Sequence, residues 1–142
     1  MVNNWYECRV KFDKTQENGT IKKVKEIYYV EGINVTEAES RITNELTPFI
    51  VGEFEVTSVR KKKNTEVISS DCEGIWFNAK IAIVSIDEKS GSEKVSYTTI
   101  ITLANNIKDA INIVDSSMNN GMLDWRLYSI TETQIIDIYK QD

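Results

Sequence analysis

The sequence predicts an α+β protein made of two copies of one unit, each with an antiparallel sheet and one helix. The segments Asn4–Phe12 and Ile75–Ile83 share an order of aromatic, polar and aliphatic residues at a spacing of 71 residues. A charged loop, a helical segment and a third alternating segment follow both at similar offsets. Because solenoid repeats are about 20–50 residues long, this longer period indicates an internal duplication. We expect repeats in residues 1–70 and 71–142 that together form one compact domain.

Two strands begin each predicted repeat. Polar and apolar side chains alternate in Trp5–Phe12, which is the period of a strand with one buried face. Phe77–Ile83 repeats this pattern in the second half. Segments rich in Val, Ile, Tyr and Thr follow a polar loop near 22–31 and near 94–103, and they predict a second strand. Each half therefore starts with a hairpin.

One helix is expected after each hairpin. Thr36–Glu39 has the residue types of a capping box, an apolar stripe at helical spacing follows it, and Pro48 marks the end. In the second half, Asn106 precedes a similar stripe and is the candidate N-cap.

A third strand is expected after each helix, over 53–61 and over 125–130. Short β-rich segments at 65–69 and 134–139 follow, and we expect each to close its own unit. The repeat is therefore ββαβ, or ββαββ when the closing strand is included.

The composition excludes several classes of function. Because the chain has no histidine, histidine-assisted nucleophiles and histidine metal sites are excluded. Cys8 and Cys72 have no CxxC spacing, and the Gly-rich stretch Lys89–Ser92 lacks the spacing of a phosphate-binding loop. We expect a protein that is not an enzyme and that uses no cofactor or metal. No apolar run approaches the ~20 residues of a membrane span and no signal peptide is visible, which favours a cytoplasmic protein without membrane contact.

The charges are distributed unevenly between the two halves. Residues 1–70 hold 11 basic and 11 acidic residues, whereas residues 71–142 hold 6 and 11, so the net charge of −5 lies in the second half. Basic runs occur at Lys22–Lys25 and at Arg60–Lys63. Any binding of nucleic acid is therefore expected to depend mainly on the first repeat.

The candidate site combines aromatic and basic residues. By alternation, Trp5 and Trp76 lie on the polar face of their strands, with Arg9 or Lys80 four residues later. Such a face binds single-stranded nucleic acid, since bases stack on the rings and cations contact the phosphates. The predicted nucleic-acid-binding residues are Trp5, Arg9, Lys11, Lys23, Lys25, Arg60, Lys61, Lys62, Lys63, Trp76 and Lys80.

The same residues allow other interpretations. Each tryptophan could fold over the sheet edge or be buried where the repeats pack, and Arg60–Lys63 could be a solvated linker. The alternative function is a protein–protein interaction or structural module, whose partner is another protein or a second copy. Trp and Arg often anchor such interfaces. A small-ligand or carbohydrate-binding domain would use the same aromatic residues.

The sequence also resembles a known family. The segments that carry the resemblance are the opening Asn4–Lys11, Thr36–Glu39, Gly52–Phe54, Asp87–Gly91 and Glu132–Thr133. Through them the sequence is similar to an uncharacterised family of Bacteroidota and their gut phages, the domain of unknown function 4494. The resemblance covers nearly the whole chain and carries over no catalytic or ligand residue. It implies a small cytoplasmic protein of bacterial or phage origin. A phage setting would favour single-stranded DNA, because phage replication modules commonly encode proteins that bind it.

Overall fold

In the computed structural model, residues 3–119 and 121–141 are described, and they form eight strands and two helices. The elements in chain order are β1 (Asn4–Thr15), β2 (Ile21–Gly32), α1 (Val35–Leu46), β3 (Phe54–Lys62), β4 (Thr65–Ile68), β5 (Ile75–Ile86), β6 (Glu93–Ala104), α2 (Ile107–Met118), β7 (Asp124–Glu132) and β8 (Ile135–Tyr139). This order confirms the predicted α+β class with two similar halves and one helix in each. Within the described ranges, both helices are too short and too polar to cross a lipid bilayer.

The chain forms two compact units that interleave along the sequence. Unit 1 comprises Met1–Lys63 and Gln134–Asp142, and unit 2 comprises residues 64–133. The sequence predicted a single division between residues 70 and 71. The difference comes from the two short strands, because β4 follows the first half but pairs with β6, and β8 follows the second half but pairs with β2. Alternation identifies a strand but does not identify its neighbour.

The two sheets have equivalent strand orders. The order is β3-β1-β2-β8 in unit 1 and, read from the other edge, β7-β5-β6-β4 in unit 2. Long antiparallel hairpins, β1 with β2 and β5 with β6, form the centre of each sheet. The register of β1 against β3 shifts between Arg9 and Val10, and the register of β5 against β7 shifts between Lys80 and Ile81. An extra residue is therefore inserted in β3 at Thr57 and in β7 at Tyr128.

Each helix packs on one face of its sheet and buries a core there. The buried core of unit 1 contains Tyr6, Cys8, Val10, Tyr28, Val30, Ala38, Ile42 and Leu46. The buried core of unit 2 contains Phe77, Ala79, Ile81, Ile100, Ala104, Ala110 and Val114. Phe54 of β3 and Trp125 of β7 are half-buried and pack against these clusters.

An asparagine caps the start of each helix. Asn106 Oδ1 accepts a hydrogen bond from the backbone N–H of Asp109 at 2.8 Å, as predicted. In α1 the cap is Asn34, whose Oδ1 accepts from the N–H of Glu37 at 2.8 Å. The predicted cap, Thr36, instead lies inside the first turn. The prediction for α1 is therefore wrong by two residues. Asn and Thr can both cap a helix, and the position of the first apolar residue did not show which of the two is the cap.

Candidate nucleic-acid interface

Most of the predicted site residues lie on the face of the unit 1 sheet opposite α1, which we call the helix-distal face. Residues directly opposite each other in antiparallel strands share a face. The register places Lys62 beside Trp5 and Lys25 beside Lys11. The predicted residues on the helix-distal face are Trp5, Arg9, Lys11, Lys23, Lys25, Arg60 and Lys62.

Three of these cations line one cleft of about 470 Å³, which we call the basic cleft. Its lining residues are Arg9, Lys11, Lys25, Ile27, Thr57 and Gln134. No acidic side chain belongs to this lining among the described residues. The hydroxyl of Thr57, the inserted residue of β3, donates to the backbone carbonyl of Arg9 at 3.2 Å and so fixes this part of the cleft wall.

Lys11 and Lys25 of the basic cleft are only partly compensated: Glu55 of β3 lies directly opposite Lys11. Lys11 and Lys25 are direct cross-strand partners, and two like charges in that position destabilise a sheet. Within the described part of the chain, neither ammonium group has a carboxylate at salt-bridge distance. An anion placed between them would therefore reduce the repulsion between the two ammonium groups.

Glu7 neutralises a neighbouring part of the helix-distal face. Its Oε1 lies 3.1 Å from Arg9 Nε, and its Oε2 lies 3.4 Å from Lys62 Nζ. The hydroxyl of Tyr29 donates to the same carboxylate at 3.4 Å. Burial and then the adjacent Glu7 carboxylate raise the pKa of Tyr29 above its ordinary value, so this hydroxyl stays a donor. Glu7 therefore orients Arg9 and removes much of the free charge of Lys62.

The basic run Arg60–Lys63 does not lie on a single face of the sheet. Arg60 and Lys62 lie on the helix-distal face, opposite Glu7 and Trp5, whereas Lys61 lies opposite Tyr6 on the helix side. Lys63 follows the end of β3. The first three residues of the run lie in β3, and strand alternation divides their charges between two faces.

The two tryptophans differ in exposure. Trp5 is half-buried, and Trp76 is buried, with 8% of its surface exposed. The expectation of an exposed ring at Trp76 is therefore wrong, and the alternative of a buried ring applies. The reason is that the part of this face nearest to Trp76 also buries Ile101, so this part is not solvated as alternation suggested.

Unit 2 has an aromatic site around Lys80. Its Nζ lies 4.5 Å from the ring centroid of Tyr97 and 5.0 Å from that of Tyr128. The two ring centroids are 5.3 Å apart, at an interplanar angle of 75°. The ammonium is attracted to the negative ring faces, so Lys80 is held between the two tyrosines. The sequence identified Lys80 but not the tyrosines, because Tyr128 is the inserted residue of a bulge that no sequence pattern marks.

Cys8 is deeply buried beside acidic side chains. Burial, and then the nearby carboxylates of Glu7 and Glu39, raise the pKa of Cys8 to about 12. The Cys8 thiol is therefore neutral and is a poor nucleophile and metal ligand. In ranges 3–119 and 121–141, no three His, Cys, Asp or Glu side chains are grouped closely enough to hold a metal ion.

Comparison with known proteins gives one match. The family model described as "Domain of unknown function (DUF4494)" matches residues 4–141, which is nearly the whole chain. Neither a curated protein nor a solved structure matches the chain.

Proposed function

We propose that this chain, which belongs to the DUF4494 family, binds single-stranded nucleic acid, in particular DNA, through the basic cleft of unit 1. The observation that carries the proposal is the convergence of Arg9, Lys11 and Lys25 on a cleft without an acidic lining residue. Phosphate groups of the strand bind there, and the protein supplies charge and shape without chemical catalysis.

The electrostatics of the cleft suit a phosphodiester. Lys11 and Lys25 provide two point charges, and Arg9 adds a planar donor group, part of whose charge Glu7 neutralises. Neutralising phosphates releases counterions from the nucleic acid, and this release drives binding at low salt. The acidic second half opposes the long-range attraction, so contact depends on the local field of unit 1.

The size of the cleft favours a single strand. A volume of about 470 Å³ is in the range of small-molecule sites, roughly 300–1,000 Å³, and so it admits a nucleotide but not a duplex. Trp5 lies on the same strand and the same face as Arg9, roughly 13 Å away at the usual rise per residue. Its half-buried ring is available to a base of the strand that leaves the cleft.

The biological setting is part of the proposal. The family resemblance supports a bacterial or phage protein that acts in the cytoplasm. In that setting the single strand would be a replication intermediate.

A protein–protein interaction module is the second candidate function. Phe49 and Val51, just after α1, are 77% and 96% exposed and line part of a cavity of about 500 Å³. Exposed apolar side chains grouped beside a cavity are typical of a surface that binds another protein. For this function the partner is another protein or a second copy of the chain. Phe49 and Val51, rather than the buried Trp76, would then be the residues that anchor the interface.

The test is fluorescence anisotropy of a labelled single-stranded oligonucleotide at low salt. The double variant Lys11→Gln/Lys25→Gln should lose most of the binding. The matched control Lys89→Gln/Lys94→Gln removes the same charge from exposed positions of unit 2 and should bind like wild type. Absence of binding at tens of micromolar protein, or equal loss in both double variants, would favour the protein-interaction candidate.

A further inference from the structure

The two units carry different side chains at equivalent positions around their central strands. Equivalence follows from the shared strand order, the hairpin register and the matching register shifts. The equivalent pairs, with the unit 1 residue first, are Arg9 and Lys80, Lys11 and Ala82, Lys25 and Tyr97, and Thr57 and Tyr128. The positions that form the basic cleft in unit 1 therefore form the aromatic site in unit 2.

We propose that the aromatic site of unit 2 is a base-stacking site for single-stranded nucleic acid. This inference rests on the proposed function and assigns a second, chemically different site to it. The basic cleft binds phosphates, and Tyr97 and Tyr128 stack on bases.

The geometry of the two rings leaves room for a planar ligand. Tyr97 and Tyr128 contact each other edge to face, yet they remain 42% and 54% exposed. Both rings thus present free surface to a further aromatic group. They come from β6 and β7, on either side of β5, and the ammonium group of Lys80 in β5 contacts both rings. A platform held in this way loses little conformational freedom when a base stacks on it.

The remaining positions of this site favour a nucleotide over an uncharged aromatic ligand. Ala82 is fully buried where unit 1 has Lys11, so a small side chain lies between the two tyrosine-bearing strands. Opposite Ala82 in β7 is Arg126, which is exposed and occupies the position of Glu55 in unit 1. Arg126 and Lys80 provide positive charge beside the rings, and a stacked nucleotide needs such charge for its phosphate.

The test compares two labelled probes of equal length, an oligothymidylate and an abasic phosphodiester oligomer, by fluorescence anisotropy at low salt. Both probes carry the same charge, but only the first has bases. We expect wild type to bind the oligothymidylate about tenfold more tightly than the abasic oligomer. Tyr97→Ala/Tyr128→Ala should reduce this preference to the part that Trp5 contributes and leave affinity for the abasic oligomer unchanged, which also shows that the variant is folded. The matched Tyr97→Phe/Tyr128→Phe variant should keep the preference.

Each outcome decides between the two proposals. Equal binding of both probes by wild type, or a preference that the alanine substitutions do not diminish, would overturn the stacking site and leave the basic cleft standing. Loss of affinity for the abasic oligomer in Lys11→Gln/Lys25→Gln supports the basic cleft independently of stacking. If wild type binds neither probe, the proposed function and the stacking site both fail.

Discussion

Arg9 and Lys80 occupy the same backbone position in the two units, immediately before the register shift of the central strand. Arg9 Nε lies 3.1 Å from a carboxylate oxygen of Glu7, whereas Lys80 Nζ lies over the rings of Tyr97 and Tyr128. One cation position thus has an acidic partner in unit 1 and an aromatic one in unit 2. The repeated fold fixes where the cation lies, and the neighbouring strands determine what it can bind.

Glu7→Gln should strengthen binding of a single-stranded oligonucleotide several-fold at low salt. The substitution removes the negative charge that pairs with Arg9 and Lys62, so both cations become available to phosphate. Anisotropy titrations measure the change. Glu88→Gln, which removes the same charge from an exposed loop of unit 2, is the matched control. Weaker binding by Glu7→Gln, or an equal gain in both variants, would show that Glu7 does not limit the site.

The stability of the protein should fall as pH rises above 9. Burial raises the pKa of Cys8 from 9.0 to about 12. Between these values the unfolded chain loses the thiol proton and the folded chain keeps it. The free energy of unfolding therefore decreases by up to about 1.4 kcal/mol per pH unit, and below pH 9 this contribution is fully present.

Urea denaturation at several pH values tests this behaviour. Cys8→Ala should show a shallower loss of stability above pH 9 than wild type. Burial also raises the pKa values of Tyr28, Tyr29 and Tyr139. Because both proteins contain these tyrosines, their effect on the pH dependence cancels in the comparison. Cys72→Ala leaves Cys8 in place and should retain the steep loss. Parallel curves for wild type and Cys8→Ala would contradict the assignment.

Asn34→Ala should lower the free energy of unfolding by about 1 kcal/mol, since it removes the acceptor for the N–H of Glu37. Thr36→Ala is the matched control, because Thr36 lies inside the helix and should change stability by a few tenths of a kcal/mol at most. Urea denaturation of both variants measures the difference. A larger loss in Thr36→Ala than in Asn34→Ala would restore the cap that the sequence suggested.

The sequence predicted the strands and helices well because each has a strong local signal. Alternation in β1 placed Tyr6 and Val10 in the core and Arg9 and Lys11 on the opposite face, and the register confirms these positions. The duplication strengthened each assignment, since a pattern found in one half could be compared with the other.

Features that depend on neighbours in space were not predictable from the sequence. The pairing of β4 with β6 and of β8 with β2 depends on which sheet edge is available, and strand periodicity does not contain that information. The bulges at Thr57 and Tyr128 have no sequence signature, so the wall of the basic cleft and the aromatic site were missed. Burial of Trp76 was also missed, because alternation gives a side of the sheet but not what covers it.

The salt dependence of binding tests the central claim most directly. For a single strand, each phosphate neutralised contributes about 0.7 to the slope of the logarithm of the binding constant against the logarithm of the salt concentration. If Lys11 and Lys25 each contact a phosphate, the slope for Lys11→Gln/Lys25→Gln should be shallower than that of wild type by about 1.4. An unchanged slope, with oligonucleotide binding still present, would show that the basic cleft does not hold the phosphates.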